Sequence, residues 1–260
     1  MSADTSSAGG AGSLSAAPSI EGSQVSPASG ELSSGASQEV FLQPLAPEFL
    51  LGRKWVFWEH YDPAPGAYHK KKTTAASWAA AGIKLAWFHD ILTFWQLWQS
   101  LPFSELERYF YNKDSITVPV YTTGTADQPE KSRISGFSLF ENGIEPKWED
   151  ETNNKGSELQ FLLNLSPAQQ NYPEFVNPFW EEVVLNLISG NFPESDQIAG
   201  VRLSDKSKGE GLVIRLEVWL KIAAGDPRIT TIKNFVFEEL LKKNGLPSTE
   251  EVVKFFNHKD

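Results

Sequence analysis

The chain contains no cysteine among its 260 residues. Disulfides, thiolate metal sites and a cysteine nucleophile are thereby excluded, and a reducing compartment suits the composition. Histidine is scarce: His60, His69, His89 and His258 are scattered, and no two stand at the HxxxH or HxxEH spacing of a zinc centre. No stretch approaches the roughly 18 uninterrupted apolar residues of a membrane-spanning helix. The start of the chain also lacks the basic region and apolar run of a secretory signal. The expectation is a cytoplasmic protein with no membrane association. Basic residues are missing from the first 52 positions, which carry Asp4, Glu21, Glu31, Glu39 and Glu48 before Arg53 appears. Those five acids hold half of the formal net charge of −10, so the remainder is only modestly acidic. A local basic groove is therefore compatible with the acidic total.

Residues 1–40 are mostly Ser, Ala and Gly with scattered acids, too poor in large apolar groups to offset chain entropy. They read as a disordered tail. Residues 41–52, with apolar side chains interrupted by prolines, read as a strap or a short linear motif. One domain is expected over 53–260. Within it, "KWVFWEHY" and "SWAAAGIKLAWF" read as strands flanking a loop with a basic tip at Lys70, Lys71 and Lys72. "DILTFWQLWQSL" has the apolar period of a helix, with Asp90 as its cap. Residues 115–135 read as an irregular insertion, and "GFSLFENGIEP" and "LQFLLNL" as strands. "NPFWEEVVLNLISGNF" and "DPRITTIKNFVFEELLKKNG" read as helices closed by glycine. Between them a β-hairpin turns at Lys208–Gly211. This order predicts an α+β fold with helices on one face of a mostly antiparallel sheet.

Tryptophan is abundant, with nine residues. Trp55, Trp58, Trp87 and Trp180 lie in apolar patterns and are expected in the core. Trp148 sits instead in "EPKWEDETNNKG", where Pro146 and Glu149, Asp150 and Glu151 break any period. Trp78 ends a polar loop among residues too small to enclose it. Two such rings could face each other across a gap suited to a flat aromatic ligand, at roughly 1–3 kcal/mol per stacked base. A cationic ligand would gain about 0.5–2 kcal/mol more from the rings' negative faces. Glu149 could then accept paired N–H donors of the kind guanine presents at N1 and N2. The competing reading is a solvated acidic turn. In the hairpin, Arg202, Ser204 and Lys206 share a face of one strand, and Arg215, Glu217 and Trp219 share a face of the next. Lys206, Lys208 and Arg215 could clasp phosphates there, with Arg202 beside them.

The stretch "GFSLFENGIEPKWEDETNNKG" strongly resembles the segment holding the second cap-stacking tryptophan of the eukaryotic translation initiation factor 4E family. The likeness extends over roughly residues 54–247, through the Trp55–Trp58 pair of "KWVFWEHY", "SWAAAGIKLAWFHDILTFWQLW" and "FWEEVVLNLISGNF". The resemblance implies a curved sheet with three helices on its convex face and a slot for the 7-methylguanosine cap of mRNA on the concave face. It makes Trp78 and Trp148 the stacking rings and Glu149 the carboxylate on the guanine edge, with the Trp148 backbone N–H on the guanine carbonyl. Trp219 takes the place against the N7-methyl group, and Arg215 and Lys206 match phosphate-binding residues. On the helical face, Trp95 with Ile91, Glu182 and Leu185 corresponds to the site for a partner helix carrying a Tyr-x-x-x-x-Leu-apolar motif. Such helices belong to scaffold factors of the 4G type or to 4E-binding proteins. A monomer apart from its partner is implied, with no cofactor and no catalytic residue.

The chain departs from the family pattern at several positions. Phe49-Leu50 replace a His-Pro pair, Glu181 and Ser189 alter the second helix, and Glu158 stands where an accessory basic residue is expected. Insertions occupy about 61–75 and 111–133, and the family's last loop is short after Phe256. These features suggest a divergent paralogue of protozoan type, with Lys70–Lys72 placed to touch further cap nucleotides. Competing classes are a carbohydrate-active enzyme with a tryptophan-lined sugar site, and a repressor or interaction protein of the same fold. The enzyme would need two carboxylates about 5–10 Å apart, and no convincing pair is evident.

Overall fold

The computed structural model describes residues 46–63, 82–101, 106, 109–110, 121–125, 128–165, 175–207 and 212–258. The Ser/Ala/Gly-rich tail, Trp78, the Lys70–Lys72 tip and the Lys208–Gly211 turn lie outside them. After a 3-10 turn at Pro47–Phe49, strand β1 (Leu50–Pro63) already begins inside the expected strap. Next come β2 (Gly82–Asp90) and helix α1 (Ile91–Ser100), then β3 (Tyr121–Thr125), β4 (Gln128–Glu141) and β5 (Ser157–Leu165). Helix α2 (Val176–Ile188), β6 (Ile198–Asp205), β7 (Leu212–Leu220), α3 (Arg228–Phe235) and β8 (Val253–Asn257) complete the order. The third helix widens into a π-type segment at Val236–Lys242 before Gly245 closes it at φ +66°.

All pairings are antiparallel, in the order β2-β1-β4-β6-β7-β5-β8 with β3 beside β4. Register shifts in β1 at Phe57/Trp58 and His60/Tyr61, and in β6 between Ile198 and Gly200, bend the strands as bulges do. The result is the expected α+β architecture with a curved, open sheet. The strand order departs from the expected one at two places. The supposed insertion around 115–135 contains β3 and the start of β4, because Thr-rich "YTTGT" pairs with polar "QPEKS". A sheet edge needs backbone partners rather than a buried face, so the apolar pattern gave no signal there. Strand β8 was likewise not foreseen.

Alternation divides the sheet into two faces. Trp55, Phe57, Phe137, Leu139, Phe161, Val201, Leu203, Ile214 and Leu216 point to one side. There they meet Phe94 and Trp98 of α1, Trp180, Val183 and Leu187 of α2, and Ile232 and Leu240 of the third helix. This is the main core, and each fully buried large side chain contributes roughly 1.5–3 kcal/mol over an exposed one. Asp90 starts α1 as anticipated, accepting from Thr93 N at 2.7 Å. The opposite face carries a smaller cluster of Phe140, Ile144, Ala199 and Trp219, flanked by Trp58, beside the polar side chains of Ser138, Arg202, Ser204, Arg215 and Glu217. Trp55 and Trp180 are core as expected, but Trp87 is 54% exposed. It lies on β2, at the end of the strand order, where one flank has no neighbouring strand among the described residues.

Candidate functional site

Trp148 lies in the turn between β4 and β5, and the residue is 39% exposed. The turn is held from within. Asp150 accepts from Glu145 N at 3.0 Å and from Thr152 N at 2.9 Å. Buried Asn153 donates to the carbonyls of Glu145 at 2.8 Å and Lys147 at 3.0 Å. Gly156 closes the turn where a Cβ would stand 2.0 Å from the Leu220 carbonyl oxygen. Only glycine permits that approach. Asp150 is thus committed to the turn, whereas Glu149 beside the ring is exposed and makes no such contact among the described residues.

The polar face of β4, β6, β7 and β5 begins beside this turn. Cross-strand pairing sets Ser138 opposite Arg202, Arg202 opposite Glu217, Ser204 opposite Arg215, and Glu158 opposite Trp219. The alternation read from the hairpin is therefore realised, with Arg202, Arg215, Glu217 and Trp219 on one face. Lys206 follows at the end of β6, its backbone N–H bonded to Val213 O at 2.7 Å. Burial, then Arg215 and Arg202, push its pKa down to about 8 against the opposing pull of Asp62 and Glu217. Arg202 Nε is buried and has no hydrogen-bond partner among the described residues. Of the four residues expected to hold phosphates, Arg202, Lys206 and Arg215 thus lie close enough together to act on one another electrostatically.

Glu217 ties this cluster to the aromatic part of the site. It is buried; Oε1 accepts from Arg215 Nε at 2.7 Å, and Oε2 accepts from Trp219 Nε1 at 3.0 Å. Burial alone would raise its pKa, but Arg202, Arg215 and the Trp219 bond outweigh that and hold it below the usual carboxylate value. His60, buried on β1, lies 2.8 Å from Ser138 Oγ. Burial first, then Arg202 and Lys206, depress its pKa well below the usual value, so it adds no charge to the cluster at neutral pH. Trp219 meets Phe140 edge-on at 5.3 Å. Glu217 stood on the expected face, but its bridging role needs distances no alternation supplies. His60 gave no signal beyond its place in β1.

His258 was also missed as a site residue. Its ring stacks on Trp148 at 5.6 Å and 16° between planes, and lies 4.7 Å from Trp219. The β-branched and aromatic residues of "VVKFFN" could have marked the strand that delivers it.

On the helical side, Trp95 is 36% exposed, with its ring edge-on to Phe94 at 4.9 Å. Ile91 and Leu185 both border the main core, and Glu182 Oε2 accepts from Asn244 Nδ2 at 2.6 Å. The four residues share the helical layer. Trp78 and Lys208 fall outside the described residues.

The model of the eukaryotic initiation factor 4E family matches residues 50–260. The chain belongs to this family. Isoform 4E-2 of eukaryotic translation initiation factor from Oryza sativa subsp. japonica is 27% identical over 176 residues, 68% of this chain and 65% of that protein. Isoform 4E from Nicotiana tabacum is 28% identical over 207 residues, covering 80% and 78% respectively. The match thus spans a little under two thirds of the rice relative. Among solved structures, C. elegans eIF4E-3, in complex with the 4E-binding protein Mextli and a cap analogue, superposes with a TM-score of 0.53. It is 21% identical and covers 82% of this chain and 94% of its own, which supports the 4E family fold.

Proposed function

We propose that the chain binds the 7-methylguanosine cap of mRNA on the polar face of its sheet, as a translation factor rather than an enzyme. The observation that carries this reading is the half-exposed Trp148, held in a pinned turn beside exposed Glu149 and next to a face bearing three basic residues. Family membership and the cap analogue of the C. elegans neighbour support it.

Methylation at N7 leaves the guanine ring positively charged. Trp148 on one side, and Trp78 on the other, would attract that ring through their negative faces. Glu149 would accept from N1–H and N2–H, each a stronger donor on the cationic base, while the Trp148 N–H meets the guanine carbonyl. Trp219 would border the methyl group, and Arg202, Lys206, Arg215 and Lys208 would hold the phosphates. No bond is made or broken. The helical face with Trp95, Ile91, Glu182 and Leu185 would receive the amphipathic helix of a 4G-type scaffold or a 4E-binding protein.

Titration with 7-methyl-GTP should quench tryptophan fluorescence, and unmethylated GTP should bind far more weakly. Equal affinity for the two nucleotides, or binding undiminished by Trp148→Ala, would overturn the reading.

A further inference from the structure

We propose that His258 is the positioning residue that holds the Trp148 ring ready to stack, an inference that rests on the cap reading of the Trp148 turn. The His258 side chain is fully buried, whereas Trp148 stays 39% exposed. With the two rings nearly parallel and their centroids 5.6 Å apart, the imidazole makes an offset stack against the indole, which keeps part of its surface exposed. An exposed tryptophan without such a backing would populate several rotamers, and a ligand would have to order it on binding.

The backing is itself fixed at several points. His258 Nδ1 lies 2.8 Å from the Asn153 carbonyl oxygen, which can only accept, so Nδ1 carries the proton. The Asn153 side chain in turn holds the carbonyls of Glu145 and Lys147, immediately before Trp148. The His258 backbone N–H reaches Gly156 O at 3.3 Å, closing the far end of the same turn. On its other edge, Nε2 stands 3.7 Å from Glu158 Oε2 with no hydrogen bond between them, while Gln160 donates to the other Glu158 oxygen, so the fixing contacts are those on the Asn153 and Gly156 side. The ring also lies 4.7 Å from Trp219. One imidazole therefore spans the indole proposed to stack on the base and the indole proposed to border its methyl group. Strand β8, paired to β5 up to Asn257, delivers it there.

The proposal separates the ring of His258 from its polar atoms. His258→Leu removes the flat backing and the hydrogen bond, whereas His258→Phe keeps a flat ring. The Leu variant should bind 7-methyl-GTP and phosphate-free 7-methylguanosine about tenfold more weakly, with the same factor for both because the phosphates are held elsewhere. The Phe variant should recover to within about threefold of the parent. A folded Leu variant with parental affinity, a Phe variant as weak as the Leu variant, or a loss confined to the triphosphate form would each overturn it. A second measurement needs no ligand. The 15N heteronuclear NOE of the Trp148 indole N–H, assigned with Trp148→Phe, should fall in the Leu variant and stay high in the Phe variant. An unchanged NOE in the Leu variant overturns the proposal even if the parent binds no cap. Absence of cap binding by a parent whose NOE follows this pattern would sink the cap reading alone.

Discussion

Replacing Glu217 with Gln tests whether one buried carboxylate balances the basic cluster. The substitution preserves volume and an acceptor for Trp219 Nε1, but sets an amide against Arg215 and removes the charge facing Arg202 and Lys206. Breaking a buried ion pair costs about 3–5 kcal/mol because the remaining charge is left uncompensated. Arg215 is 24% exposed and water reaches it, so about 3 kcal/mol, the lower end, is expected. Urea denaturation of both proteins at pH 7 would measure it. The sign with pH follows from the depressed pKa of Glu217. A carboxyl whose folded value lies below its ordinary 4.5 contributes its stability above that value and loses it as pH falls through the folded value. The gap between parent and Glu217→Gln should therefore be full at neutral pH and shrink below about pH 4.5. A gap under about 1 kcal/mol at pH 7, or one unchanged in acid, would refute the charge-balancing argument.

The other predictions concern the phosphate end, the turn and the helical face. Because Lys206 titrates near pH 8, its phosphate contact should fade as pH rises through that value, and Lys206→Arg should abolish the fading. The ratio of 7-methyl-GTP affinities of the two proteins, followed from pH 7 to 9.5, should change about tenfold, and a constant ratio would count against Lys206 as a phosphate ligand. Gly156→Ala drives a Cβ into the Leu220 carbonyl and should cost roughly 3 kcal/mol or more, read as a large drop in melting temperature. Trp95→Ala should change stability by under about 1 kcal/mol while weakening capture of a Tyr-x-x-x-x-Leu peptide by at least tenfold. Retained capture would remove Trp95 from the partner site.

Elements whose burial repeats with a period were legible in the sequence. Helices α1 and α2, the β6–β7 hairpin and its alternating Arg202, Arg215, Glu217 and Trp219 all follow from one buried face. Strand β3 and the first half of β4 escaped because their pairing is a backbone matter between polar residues. Trp87 was misread for a related reason. An apolar run on an edge strand looks like one in the middle of a sheet, and only the strand order shows that its outer flank has no strand among the described residues.

The site divides in the same way. Trp148 was conspicuous because nothing around it could bury it, and that is a local property. His258 is 110 residues away in sequence and meets it only because β8 pairs with β5 while the Trp148 turn leads into β5. Glu217 joins Arg215 and Trp219 through two oxygens of one carboxylate, which requires a particular rotamer as well as a shared face. The residues that would touch a ligand were thus readable singly, whereas those that hold them depend on tertiary pairing. That division has a consequence for variants. Loss of a contacting residue should remove one interaction, whereas loss of Glu217 or His258 should disturb two groups together, so double substitutions of Glu217 with Trp219, or of His258 with Trp148, should cost less than the sum of the single ones.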